Sequence, residues 1–435
     1  MSQGALTQLA NGEDVVFHLN PQISYFKSVF RKYTKFMISD YEQTSGNNNS
    51  TAFGDGNNIS FQFPSQGELL SKVSIRVKTN ETLSNVILPD NIGTALIDTV
   101  DLVCEGTSQI NNNIVERIPA EYINFMGMLN NKKSINSSYD IDSNKLSCNN
   151  GNNFQNISLT GGVRHNRKND GTHTANESYN MNAIVPIPFS FTENIGSALP
   201  ILKFSNKTNL SISITKTSDS SILSAFQNDF GNIIFSVIFK FIYLSEEEKY
   251  RFTSSDQEYL LKKVKYLQND ITTNISYDIS GQIPNMPIVS MFIINNSNSA
   301  TGNITLFNGV KFQVFIRGVN MQNDRLPHEF YSKLNINNHF KGCIFKDQIG
   351  KGKVNTSTQN GSYSTIENNI VYIPFALKDT EGPSGCIDTS SNDISLEITH
   401  PQIVGDETYS FKLYLIYHTI MTVKNDNIFF PYGFI

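Results

Sequence analysis

The 435-residue chain contains no tryptophan and only four cysteines, Cys104, Cys148, Cys343 and Cys386, which are far apart. With no C-x-x-C pair there is neither a disulfide framework nor a thiolate zinc site, and the thiols are expected to be reduced. No window approaches ~18 continuous apolar residues, so no bilayer-spanning helix is expected. The amino terminus, "MSQGALTQLANGEDVVFHL", lacks a basic region followed by an apolar run, so no secretory signal is expected. The seven histidines show no H-E-x-x-H spacing. His165 and His173 share a polar loop without a third ligand. No G-x-S-x-G elbow occurs. "GDGNNI" at Gly54 lacks the third glycine of a dinucleotide fingerprint, and "GKGK" at Gly350 lacks the Ser/Thr of a P-loop, so both read as turns. Glu246, Glu247 and Glu248 open a helix, where carboxylates complement the dipole. The sequence therefore nominates no catalytic, cofactor-binding or metal-ligating residue, and no cofactor. A net charge of −5 and a pI near 5.8 argue against a dedicated nucleic-acid binder.

Phe (30), Tyr (18), Asn, Ser and Thr are plentiful. Sequons such as those at Asn58, Asn156, Asn206 and Asn303 follow from that composition. The length suits about two domains. Extended runs dominate: "NNISFQFPS", "KVSIRVKT", "LIDTVDLVCEG", "AIVPIPFSF", "NLSISITK", "IIFSVIFKFIYL", "ITLF", "VKFQVFIRGV", "IVYIPFAL", "DISLEITH" and "SFKLYLIYHTIMTV". Several alternate with period two, for instance Leu210, Ile212 and Ile214 against Ser211, Ser213 and Thr215, which marks sheets with one face in a core. Helices look few. "SEEEKYRF" and "SDQEYLLKKV" each carry the S-x-x-E capping pattern, at Ser245/Glu248 and Ser255/Glu258, and predict two short helices at a seam between domains. The polar stretch from about 130 to 180 reads as a surface elaboration.

The most informative feature is internal. "IVPIPFSF" (184–191) resembles "IVYIPFAL" (370–377), with Phe189 and Phe375 186 positions apart. "NLSISIT" (209–215) resembles "DISLEIT" (393–399), 184 apart, and "FSVIFKFIY" (235–243) parallels "YSFKLYLIY" (409–417), 174 apart. Three segments in one order predict a duplicated sandwich, each copy the size of an eight-stranded jelly roll with long loops.

"NPQISYFKSVFRKYTKF" (20–36) interleaves four cations, Lys27, Arg31, Lys32 and Lys35, with five aromatics and no acid. Such a pattern suits a nucleic-acid strand or a membrane surface. The local reading is a packed helical turn: Ser24 caps it, Phe26, Val29 and Phe30 make an apolar stripe, and Arg31 to Phe36 lead into the first strand.

That stretch, followed in order by "PIPFSFTENIGSALPILKFSNKTNLSISI", "FIYLSEEEKYRFTSSDQEYLL" and "VYIPFALKDTEGPSG", resembles the major capsid protein family of the nucleocytoplasmic large DNA viruses. The motif positions are Phe189, with Gly196, Ala198, Leu199 and Pro200 after it, then Leu244, Glu248, Arg251 and Phe252, and last Pro383, Ser384 and Gly385. The family's F-W-F is Phe189-Ser190-Phe191 here, and "CIDTSSN" replaces its usual run after P-S-G. These departures mark a divergent member. The resemblance implies an all-β fold of two consecutive eight-stranded jelly-roll sandwiches, a double jelly roll with a few short helices and long loops. The implied division is an N-terminal arm (1–24), a first jelly roll (25–244) and a second (245–435). It further implies homotrimeric, pseudo-hexagonal capsomers in an icosahedral shell, with neighbouring capsomers, minor capsid proteins and an internal viral membrane as partners and no specific nucleic acid. The protein would be made and assembled in host cytoplasm. Phe26, Phe30, Arg31, Lys32 and Lys35 would then lie at the inner face of the shell. The alternatives are a minor or penton-region paralogue and, from the aromatic-rich strands and polar loops, a jelly-roll glycan-binding attachment protein.

Overall fold

In the computed structural model the described residues are 33–44, 58–64, 66–79, 83–84, 92–105, 114–129, 178–179, 182–204, 209–217, 233–271, 275–282, 286–295, 311–321, 335–340, 370–378, 383–390, 392–399, 409–424 and 427–430. The chain divides into two compact units, Met1–Phe36 and Met37–Ile435. Of the first, only Tyr33–Phe36 are described, and they are exposed. The anticipated helical turn at 24–30 and the polar stretch from 130 to 177 lie outside the described residues.

Among the described residues, sixteen of the twenty-one strands build two sandwiches in the second unit. The first eight are β1 (Phe36–Thr44), β2 (Asn58–Gln62), β3 (Leu69–Thr79), β4 (Ile97–Cys104), β5 (Ile114–Pro119), β6 (Asn182–Pro186), β7 (Leu210–Lys216) and β8 (Ile233–Leu244). The next eight are β9 (Gln257–Ile271), β10 (Ile275–Asp278), β11 (Pro287–Asn295), β12 (Lys311–Ile316), β13 (Val319–Asn320), β14 (Ile370–Pro374), β15 (Ile394–Thr399) and β16 (Tyr409–Lys424). They form four antiparallel sheets in the orders β1-β8-β3-β6, β2-β7-β4-β5, β9-β16-β11-β14 and β10-β15-β12-β13. Adding eight to each strand of the first pair of sheets gives the second pair. The three recurring sequence segments fall on matched strands, β6 with β14, β7 with β15 and β8 with β16. Smaller features repeat too. Ser71 drops out of register where β3 pairs with β8, and Val289 where β11 pairs with β16. Beyond each irregularity a two-residue strand adds on, Leu199–Pro200 to β3 and Ile387–Asp388 to β11.

Period-two alternation places the cores. Val73, Ile75 and Val77 on β3 and Phe235, Val237 and Phe239 on β8 pack with Val100, Leu102, Ile212 and Ile214 of the facing sheet. In the second sandwich Met291, Ile293, Leu413 and Leu415 pack with Val314, Leu396 and Ile398. The β9-β16-β11-β14 sheet also buries its other face. Phe292, Ile294, Tyr372, Tyr414 and Ile416 join the apolar cluster of the first sandwich. Residues 413 to 419 of β16 are consequently all buried, and alternation vanishes there.

Five helices are described: α1 (Ile92–Ala95), α2 (Ala120–Leu129), α3 (Glu246–Ser254), α4 (Ile279–Gln282) and α5 (Asn335–His339). The first anticipated seam helix is α3, although Ser245 makes no side-chain cap. The second is not formed. Ser255 ends α3, and Gln257–Ile271 is instead β9, paired with β16 at every one of its 15 positions. A local S-x-x-E pattern supplies one or two cap bonds, which a full ladder outweighs.

Because one sheet serves two cores, truncating either of its faces is expected to weaken both sandwiches together. Phe292→Ala and Ile293→Ala, on opposite faces, should each cost about 2–5 kcal/mol. The check is urea unfolding followed by circular dichroism, with one shared transition at lower denaturant for both variants.

Candidate functional site

The contact between the two sandwiches buries the carboxylates of Glu116 and Glu121, and it is built from β5, α2 and the turns after β6. The strand-to-helix passage from β5 into α2 puts Glu116 and Glu121 inward, beside Ile118, Ala120 and Ile123. Glu121 accepts a bifurcated contact from Lys412 of β16, at 2.8 Å to Oε1 and 2.7 Å to Oε2. Tyr414 Oη donates to the same Oε2 at 3.1 Å. Burial and the Glu121 carboxylate push the Tyr414 phenol well above its ordinary range. Around this pair the rings interlock. Phe125 of α2 stands 5.2 Å from both Phe292 and Tyr414, edge-on to the latter, and Tyr122 lies 5.9 Å from Tyr414. Phe292 in turn packs on Tyr372 at 4.6 Å, and Tyr372 on Phe340 just beyond α5.

A second buried pair sits where β9 passes β5. Lys263 Nζ donates to Val115 O at 2.8 Å and lies 3.7 Å above the Phe430 ring. Burial pulls this ammonium down to about 8, against the opposing pull of Glu116. Glu116 is held by Ser190, whose N–H donates to both carboxylate oxygens at 3.1 Å and whose hydroxyl donates at 2.8 Å. Burial nevertheless raises the Glu116 carboxyl above its ordinary value, while Lys263 and Ser190 pull it back. At the rim, Lys262 meets Glu193 at 3.0 Å.

Most of the sequence-predicted positions fall in three places. Phe189, Gly196, Leu199 and Pro200 gather at the base of the first sandwich, next to this contact. Phe189 is buried and stacked on Phe191 with ring centroids 5.6 Å apart, and it precedes the 3₁₀ turn Ser190–Thr192 that presents Ser190 to Glu116. Gly196 donates its N–H to Asn194 Oδ1 in the next 3₁₀ turn, and Leu199–Pro200 closes onto β3. Glu248 and Arg251 pair with each other along α3 at 2.8 Å. That helix is tied down through Lys249 to Glu68 at 3.1 Å and through Phe252, packed on Leu69, Ala198 and Ile242. Pro383 and Gly385 belong to a turn that clamps the exit of β14. Ser384 Oγ accepts from Lys378 N–H, and Gly385, at φ 137°, lies where a Cβ would come 3.3 Å from Phe375 O. Lys35 is exposed ahead of β1. Phe26, Phe30, Arg31 and Lys32 lie outside the described residues.

The charges at the contact were missed by sequence reading. Their one signal is a charged residue interrupting an apolar strand, as Glu116 does in "IVERIP" and Lys412 in "YSFKLYLIY". Among the described residues no group of three or more metal-ligating side chains converges. The arrangement suits rigid mechanical coupling of the two sandwiches.

A family model described as "Major capsid protein N-terminus" matches residues 24–239. The chain is 23% identical over 266 residues to the major capsid protein of Pyramimonas orientalis virus, an alignment covering 60% of this chain and 59% of that one. It is 24% identical over 294 residues to "Capsid protein 1" of Acanthamoeba polyphaga mimivirus, covering 61% and 44%. The chain thus spans about half the length of these curated relatives. Among solved structures, a chain of the PBCV-1 virus capsid superposes with a TM-score of 0.65 at 16% identity, covering 94% of this chain and all of that one. The Faustovirus major capsid protein gives 0.55 at 9% identity, covering 92% and 93%. The shared fold is the double jelly roll.

Two outcomes are expected at this contact. Glu121→Leu or Lys412→Met alone should cost about 3–5 kcal/mol by leaving its partner buried and unpaired, whereas the double variant should recover most of the loss. Urea midpoints of the two singles and the double check this. Lys263 titrates in the fold near 8, below its ordinary value of 10.5, so the unfolded chain holds that proton more tightly. The stability contributed at this position is therefore lowest below about pH 8 and rises from there toward 10.5. Wild type should gain on Lys263→Met between pH 7.5 and about pH 10, read as the difference of urea midpoints.

Proposed function

Because the chain belongs to the double jelly-roll major capsid protein family of the nucleocytoplasmic large DNA viruses, we propose that it is a non-enzymatic virion protein. In this reading it self-assembles as a trimeric, pseudo-hexagonal capsomer that builds an icosahedral shell. The observation that carries the reading is the strand-for-strand duplication, since three chains each holding two equivalent sandwiches supply six equivalent blocks for one ring. Obligate contacts of this kind bury ~2,000 Å² or more, and many weaker contacts between capsomers then act together. The buried Glu121–Lys412 pair and the tilted and edge-on rings between the sandwiches support it, because a block in a shell must not bend between its two halves.

The proposed division is an arm over 1–24, a first jelly roll over 25–244 and a second over 245–435. In this reading the arm and the stretch with Phe26, Phe30, Arg31, Lys32 and Lys35 face the shell interior, toward minor capsid proteins and an internal membrane, with no specific nucleic acid bound. Assembly takes place in host cytoplasm. Size measurement with negative-stain imaging of the purified chain tests the proposal. Trimers with pseudo-hexagonal outlines are expected, and a monodisperse monomer at every salt concentration overturns it. Phe26→Ala and Phe30→Ala should lower trimer yield more than Lys32→Ala, measured by size exclusion. Loss of nucleic-acid retention in Lys32→Ala and Arg31→Ala, with trimers intact, would instead make the stretch a nucleic-acid site.

A further inference from the structure

Three carboxylates are buried among the described residues, those of Asp101, Glu116 and Glu121, and one of them is held differently. Asp101 meets the Arg117 guanidinium at 2.7 Å, and Glu121 meets the Lys412 ammonium at 2.7 Å. Glu116 touches no cation among the described residues. Both of its oxygens are taken by one neutral residue. Ser190 reaches them with its backbone N–H, at 3.1 Å to each, and with its hydroxyl at 2.8 Å.

The surrounding charges are otherwise engaged. Lys263 of β9, the cation that acts on Glu116, donates to Val115 O and lies over the Phe430 ring. Arg117, next along β5, points to the opposite face of its sheet and onto Asp101. Glu193, after the Ser190 turn, pairs with Lys262 of β9. Glu121, Lys412 and Tyr414 form a set of their own on α2 and β16. Tyr417 of β16 senses Glu116, whose charge adds to burial in pushing that phenol up.

An ionised carboxyl is the costly form in such a place, because burial takes away its water and no counter-charge replaces it in contact. The protonated form keeps every bond. The Ser190 N–H continues to donate to the carbonyl oxygen, and the 2.8 Å bond to the hydroxyl reverses, since a serine hydroxyl accepts as well as donates.

We propose that Glu116 is a proton-binding site built into the joint, and that filling it in mild acid fastens the first sandwich to the second. Every group named belongs to one chain, so this site is independent of the capsomer reading. Opening the joint returns water to an ionised Glu116, so at neutral pH its charge works against the contact. Protonation removes that gain. Burial raises the carboxyl above 4.5 in the fold, so the stabilisation is complete below about pH 4.5 and is lost as pH rises through the raised value. Lys263 titrates near 8, in a separate window.

The test is urea unfolding of the full chain by circular dichroism from pH 4.5 to 7.5, comparing wild type with Glu116→Gln, a neutral isostere that cannot titrate. The difference in midpoints should grow in favour of Glu116→Gln as pH rises. The wild-type unfolding constant gains about tenfold on that of the variant for each unit by which the fold raises the carboxyl. Ser190→Ala, which removes one donor to the ionised form, should move the wild-type fall to higher pH. Combined with Glu116→Gln, it should leave the shape of the profile unchanged. Infrared spectra of the folded protein report the same proton: a protonated-carboxyl band should outlast those of exposed carboxyls on raising pH and be missing in Glu116→Gln. A midpoint difference that is flat with pH, with no persisting band, overturns the proposal and makes Glu116 a fixed anion. Should Glu116→Gln not fold, the band in wild type and its persistence to higher pH in Ser190→Ala carry the comparison, and its absence from both overturns the proposal.

Discussion

The structure depends on one sheet having no free face. The β9-β16-β11-β14 sheet closes its own sandwich on one side with Leu413, Leu415 and Ile293, and on the other receives α2 of the first sandwich through Tyr414, Ile416 and Phe292. Two layers of side chains on a single set of strands give the joint the density of a domain interior. Area alone would let the first sandwich slide over that apolar surface. Glu121 on Lys412 and Tyr414, and Lys263 on Val115 O, remove the freedom, because any slip strands a charge away from water.

That constraint also explains what could be read in the sequence. Strands with one wet face announce themselves by alternation, and β7 is legible because Ser213 and Thr215 remain partly exposed between Ile212 and Ile214. The repeat was legible for the same reason, since matched strands keep the same inward positions across the duplication. β11 was not. "PIVSMFIIN" is buried on both faces, so its periodicity carries no information and it reads as an undifferentiated apolar run. β9 failed for another reason: Ser255 and Glu258 mimic a helix start, and only the long edge of β16, more than 150 positions away, decides the matter.

The candidate site was less legible than the fold. Phe189, Gly196, Leu199 and Pro200 were found by motif, and their role emerges only from Ser190, which they place against Glu116. Glu121 and Lys412 lie 291 positions apart, and no local pattern joins a carboxylate in "AEYINF" to a lysine in "FKLYLIY". Long-range polar pairs of this kind depend on topology, so sequence reading reaches them only after the sheets are known.

The tethering of α3 has a consequence for how the molecule is made. Two sandwiches with the same strand order are natural competitors for each other's strands while a nascent chain is still unpaired, and copies crowded together could trade whole sandwiches. Trading requires the connector to straighten. Here it is a nine-residue helix whose Lys249 is bonded to Glu68 and whose Phe252 is lodged among Leu69, Ala198 and Ile242 of the preceding sandwich. Straightening it would strip a finished first sandwich of part of its own base, so the connector works as a fidelity device that commits each second sandwich to the first sandwich of its own chain.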